Sequence, residues 1–132
     1  PVAACPDGID VLAMDWGWRS ALSLATVQLG KIEPLDLELP QGIRALACTQ
    51  DEILIGHESG AVFRSDRQGN TLLGIIPGNA SPVAQLLVTG DTLWVSTESG
   101  VVQRYSLVSG QLIGQDMLTP QQVLGASLGG SQ

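Results

Sequence analysis

Gly125-Ala126-Ser127-Leu128-Gly129 fits the GxSxG pattern of a nucleophilic serine. That pattern works only on a strained strand-to-helix elbow, with acid and histidine partners following in the usual order. No histidine follows it, so the match reads as accidental. The single histidine, His57, precedes Glu58-Ser59-Gly60, and a lone histidine there reads as a solvated turn residue rather than a base or ligand. Asp7, Asp10 and Asp15 lack the spacing of a calcium loop. Cys5 and Cys48 form no CxxC and have no metal-type spacing. They could pair in an oxidising compartment, but two small thiols in a reducing cytoplasm are the preferred reading. Asn79-Ala80-Ser81 fits the glycosylation acceptor pattern, but Pro82 follows it and no secretion signal precedes it. No catalytic set, phosphate loop or metal cluster is present, so the expectation is a chain that is not an enzyme and takes no cofactor.

Recognition chemistry is better represented. Trp16-Gly17-Trp18-Arg19 puts two indoles and a guanidinium around a glycine. Exposed Trp and Arg are common interface anchors, and an indole can also stack on a sugar ring. Packing between sheets is the competing role for Trp16 and Trp18, one that Trp94 in a buried strand is expected to fill. Arg64 and Arg104 recur in equivalent contexts. Either they bind an acidic partner, or they pair across strands with Glu58 and Glu98, and the pairing is preferred. The candidate binding residues are therefore Trp16, Trp18, Arg19, Arg64 and Arg104.

The elements that must position these residues are short strands. The chain has 132 residues, 44% apolar and 14% charged, with sixteen glycines and seven prolines. That length suits one domain burying roughly two-thirds of its unfolded surface, and such composition leans towards strands and tight turns. A net charge of -7 argues against non-specific nucleic-acid binding and against an anionic membrane surface. No apolar stretch is long enough for a spanning helix, and no signal peptide is visible; a cytoplasmic location is favoured. The chain starts at Pro1 without Met, so either the Met was removed or the chain is cut from something longer.

Residues 43–68 align with 83–108 at a fixed offset of forty. The identical pairs are Leu46/Leu86, Thr49/Thr89, Asp51/Asp91, Glu58/Glu98, Ser59/Ser99, Gly60/Gly100, Val62/Val102 and Arg64/Arg104. Roughly one or two would arise by chance, so the repeat is accepted. Each unit parses into four short antiparallel strands, with Asp51 or Asp91 at the first turn and Glu-Ser-Gly at the second. The fourth strands are expected at 71–76 and 111–118. A shortened copy over 9–41 supplies strands two to four, its first strand missing from the front. Residues 123–128 stand forty positions after 83–88 and read as a first strand with nothing following. The expected division is 9–41, 42–81 and 82–120, with 121–132 opening a split unit.

Asp51-Glu52-Ile53-Leu54-Ile55-Gly56, Glu58 to Arg64 and Gly69 resemble WD-repeat-like and quinoprotein-like β-propeller blades, whose period is about 40–45 residues. The Trp-Asp pair that names the WD repeat is absent near Arg64-Ser65 and Tyr105-Ser106, and no Gly-His pair precedes the inner strands. The pattern is thus a degenerate one, and no quinone cofactor carries over. The resemblance implies an all-β fold of four-stranded meander blades, three per chain with one split between the termini. Three blades are too few for a ring, which implies association. The expected function is a non-enzymatic protein-interaction or scaffold module with a protein partner, completing its ring by homo-oligomerisation. The alternatives are a sugar-binding propeller lectin and a fragment of a larger propeller sensor or enzyme.

Overall fold

The computed structural model describes residues 1–16, 19–26, 29–68 and 81–117, with backbone alone at 15–16, 19–20, 36–38 and 117. Every regular element is a strand apart from a short helical turn at Leu29. The first sheet holds β1 (Val2–Ala4), β2 (Asp10–Trp16), β3 (Arg19–Thr26) and β4 (Lys31–Pro40), in that spatial order. The second holds β5 (Ile43–Cys48), β6 (Glu52–His57) and β7 (Val62–Asp66). The third holds β8 (Val83–Thr89), β9 (Thr92–Thr97), β10 (Val101–Ser106) and β11 (Leu112–Met117), again as a simple meander. All pairings are antiparallel.

The forty-residue repeat is visible in bond patterns as well as residue types. Gly60 and Gly100 take φ of 91° and 89°, the left-handed region where glycine carries no Cβ penalty. Their N–H groups donate to His57 and Thr97 carbonyls, both at 3.0 Å. The Glu58 and Glu98 N–H groups donate to Gly42 and Pro82 carbonyls at 2.9 and 3.0 Å. At the first turn of the second sheet the Thr49 hydroxyl, rather than the Asp51 carboxylate, holds the backbone. It accepts from the Asp51 and Glu52 N–H groups at 3.2 and 3.0 Å.

The sheets stack face to face, with β1 beside β5 and β5 beside β8. Val11, Leu22 and Leu39 of the first sheet meet Ile43, Leu46, Ile53 and Ile55 of the second. On the other side, Leu54 and Val62 meet Val83, Leu93, Val95 and Tyr105 of the third sheet. Each fully buried aliphatic side chain contributes about 1.5–3 kcal/mol. Strand patterning follows from this order. Ile53-Leu54-Ile55 is an unbroken apolar run, fully buried, because its sheet is covered on both faces. β9 alternates, with Leu93, Val95 and Thr97 buried and Thr92, Trp94 and Ser96 partly open, because among the described residues only one face of the third sheet is covered.

The first sheet differs from the sequence expectation at its front. Val2–Ala4 pairs with β2, Val2 opposite Leu12 and Ala4 opposite Asp10, so the place of the first strand is filled. Cys5 and Cys48 form a disulfide between the first two sheets, with Cα atoms 4.9 Å apart, which corrects the reading of two free thiols. Stacking of β1 on β5 brings together two cysteines 43 positions apart. Trp94 also departs from its expected place. Leu93 and Val95 point into the second junction, so strand alternation turns the Trp94 indole to the opposite face. The expected strands at 71–76 and 123–128 and the Gly125–Gly129 pattern lie outside the described residues.

Candidate interaction surfaces

The β2–β3, β6–β7 and β9–β10 turns are the same connection in three successive sheets. The Trp16 and Arg19 backbones pair across the first of them, while Trp18 lies outside the described residues. The next two are the Glu-Ser-Gly turns. Arg44, at the start of β5, spans them, with Nη1 3.2 Å from Glu98 Oε1 and Nη2 3.9 Å from Glu58 Oε2. All three side chains are about half exposed, so water screens the pairs and their contribution stays at roughly 0–1 kcal/mol. This edge of the stack therefore carries a tryptophan, two arginines and two glutamates in sequence, on connections that a scaffold of strands holds in place. Nothing in the repeat singled out Arg44, because position 84 is Ala; its role depends on the stacking of two sheets.

His57 supports this edge from inside. Its Nδ1 accepts the Ser59 N–H at 3.1 Å and lies 2.8 Å from the Ser59 hydroxyl. A nitrogen that accepts cannot also carry the ring proton, so Nε2 carries it and donates to the Gln41 carbonyl at 2.8 Å. Phe63 meets the ring edge-on, with centroids 5.7 Å apart. The histidine is buried and fully engaged, which corrects the reading of a solvated turn residue: its two ring nitrogens hold the strand ends together instead of meeting water. In the next unit Thr97 takes over part of the role, its hydroxyl 3.0 Å from Ser99 Oγ.

Arg64 and Arg104 occupy equivalent positions with different surroundings. Arg64 donates to Glu52 through Nε at 2.7 Å and Nη2 at 2.9 Å, and Nη2 also reaches the Leu107 carbonyl at 2.9 Å. Glu52, not Glu58, is thus its partner, and the bond to Leu107 fastens the second sheet to the third. The charge-assisted hydrogen bond to Glu52 outweighs desolvation and raises the Arg64 pKa above its ordinary value. Arg104 has Thr92 where Arg64 has Glu52. Its guanidinium lies over the Trp94 ring, 5.5 Å from the centroid, a cation–π contact. The Trp94 indole in turn donates to the Thr89 hydroxyl at 2.8 Å. Both residues face outward from the third sheet beside Leu87, which is 59% exposed.

Among the described residues no group of three or more His, Cys, Asp or Glu is arranged to hold a metal ion, and no helix is long and apolar enough to cross a membrane. What the described residues offer is a row of turns along one edge and an arginine–tryptophan pair on an open sheet face. Successive antiparallel meanders, four-stranded in the first and third sheets and stacked through their faces with first strands side by side, decide the architecture. The fold is that of WD40 propeller blades. The chain is similar to the WD40 domain of Toxoplasma gondii coronin, with a TM-score of 0.72 at 13% identity over 89% of this chain and 34% of that one. It is similar to a chain in a crystal structure of the Mitotic Checkpoint Complex, with a TM-score of 0.74 at 18% identity over 90% of this chain and 38% of that one. It thus spans well under half the length of either. No family model matches, and no curated protein matches.

Proposed function

We propose that this chain is a non-enzymatic propeller module that binds proteins and completes its ring by self-association. The observation that carries this reading is the stack of three sheets with, among the described residues, an uncovered face at each end. On the first sheet, Val2 and Met14 are 65% and 56% exposed and Ile32 is 63% exposed. Strand alternation sets them on the face opposite the buried Val11 and Leu22. Exposed apolar patches of this kind mark interaction sites. The row of Trp16, Arg19, Arg44, Glu58 and Glu98 supplies the residues with which the assembled ring would meet a protein partner. Propeller folds host many functions, so the site rather than the fold supports the reading.

Light scattering across a dilution series tests the association: a well-folded monomer at every concentration would sink it. Affinity capture with the wild type and with Arg44→Glu tests the partner-binding edge. Loss of the same captured protein in the variant supports it, and identical capture by both counts against it.

A further inference from the structure

We infer that the outer face of the third sheet seats the first sheet of a second copy of this chain, with Arg104 donating across that junction. This deepens the ring-closure reading above and rests on it. The warrant is a junction already built within the chain. The second sheet meets the third through Ala47, Leu54, Val62 and Arg64. At an offset of forty, Leu87, Trp94, Val102 and Arg104 stand at those same positions on the third sheet. The register agrees: Ala47 pairs with Leu54 and Leu54 with Arg64, as Leu87 pairs with Trp94 and Trp94 with Arg104. The open face is therefore the next copy of a face that is covered one sheet earlier.

The arginine pair states what the missing sheet must bring. Arg64 spends two donors on Glu52 and reaches the Leu107 carbonyl in the third sheet's β10–β11 turn. Thr92 gives Arg104 no carboxylate at the corresponding position. Trp94 holds the guanidinium over its ring instead, which positions the head while leaving its N–H donors to an outside acceptor. The sheet seated there must bring the acceptor that the Leu107 carbonyl brings to Arg64.

The chain itself carries the matching surface. Val2, Leu12, Met14, Ala25 and Ile32 lie on the outer face of the first sheet by strand pairing, and the charged residue beside them, Asp10 opposite Ala4 and Ala25, is opposite in sign to Arg104. One position sets a limit. Gly56 stands so close to Val83 that a Cβ there would come within 2.5 Å of it, and its equivalent on the open face is Ser96. Val83 lies at the start of β8, opposite Thr97, so the start of β1 in a second copy must leave that room beside Ser96. Two such head-to-tail junctions close a two-fold ring.

The test is light scattering on the whole chain and on Leu87→Asp, Met14→Asp and Arg104→Met. Leu87 and Met14 are 59% and 56% exposed, so both aspartates leave the internal junctions intact, as circular dichroism and melting will check. The wild type should have twice the 13.8 kDa chain mass. Leu87→Asp and Met14→Asp should each be folded monomers, and an equal mixture should form a mixed dimer through its one undamaged junction. Arg104→Met should weaken the dimer about a hundredfold, a roughly tenfold loss of a charge-assisted hydrogen bond at each of its two junctions. A dimer untouched by Leu87→Asp and Arg104→Met would overturn this inference and leave ring closure standing. Dissociation by Leu87→Asp alone, with no rescue on mixing, would show that two third sheets meet and would overturn the first sheet as occupant. A folded wild-type monomer would overturn both readings.

Discussion

The Arg64 guanidinium and the Glu52 carboxylate meet fork to fork, at 2.7 and 2.9 Å, with side chains only 10% and 13% exposed. Two charges taken this far out of water are tolerated because each satisfies the other and because Leu107 accepts the remaining bond. Removing one partner leaves an uncompensated charge between two sheets. Glu52→Ala and Arg64→Ala should each lower stability by about 3 kcal/mol, measured by urea unfolding. The double variant should lose clearly less than the sum, since the second deletion removes an already orphaned group. Additive losses would mean that the pair does not act as a unit.

The Cys5–Cys48 disulfide joins the first sheet to the second across 43 positions. Cross-linking a loop of that length restricts the unfolded chain and stabilises the fold by roughly 2–4 kcal/mol. Alkylation of unreduced, denatured protein should label neither cysteine, and Cys5→Ser/Cys48→Ser should melt at a lower temperature. Full labelling without reductant, with an unchanged melt, would contradict a structural role for the bridge.

Legibility in the sequence followed interaction range. The forty-residue repeat showed the second and third sheets directly, because turns such as Glu58-Ser59-Gly60 are built from neighbours. β1 escaped because Val-Ala-Ala is three residues long, with one β-branched side chain and Pro6 two positions beyond its end. Cysteine spacing holds no pairing information until β1 lies beside β5. The repeat alone matches Arg64 to the turn glutamate Glu58. In the actual register Leu54 stands opposite Arg64 and Glu52 opposite Asp66, so the long arginine reaches Glu52 diagonally. Arg44 was invisible for the same reason, since its partners belong to two different sheets.

His57 offers a test of how far two repeats are interchangeable. Its ring proton on Nε2 serves the Gln41 carbonyl, while Nδ1 accepts from Ser59. Alanine would take both hydrogen bonds away, although Ser59 and Gln41 are themselves exposed and water can reach them. His57→Ala should cost about 1–3 kcal/mol, read from chemical denaturation. His57→Thr imports the residue that the next unit uses, whose hydroxyl meets Ser99 at the equivalent turn. It should recover the contact to Ser59 but not the longer reach to Gln41, giving an intermediate loss. Equal losses for the two variants would show that the Ser59 contact contributes nothing.

Asp7 carries a pH dependence whose direction is set by its surroundings. Partial burial acts to raise its pKa, but the Ile9 N–H and the Arg67 guanidinium together hold the carboxyl below its ordinary value. Arg67 Nη2 lies 3.2 and 3.0 Å from the two Asp7 oxygens, tying the β1–β2 turn to the second sheet. A carboxylate whose folded pKa is depressed adds stability above its unfolded pKa and loses it as pH falls through the folded value. That contribution should be intact at neutral pH and fade below the usual carboxylate range. Asp7→Asn should remove it throughout, so wild type and variant should differ at neutral pH and converge in acid. The pair is exposed on the Asp7 side, with that side chain 44% accessible, and so added salt should shrink the neutral-pH difference. Parallel stability curves from neutral to acid pH would rule out the Asp7–Arg67 contact as their source.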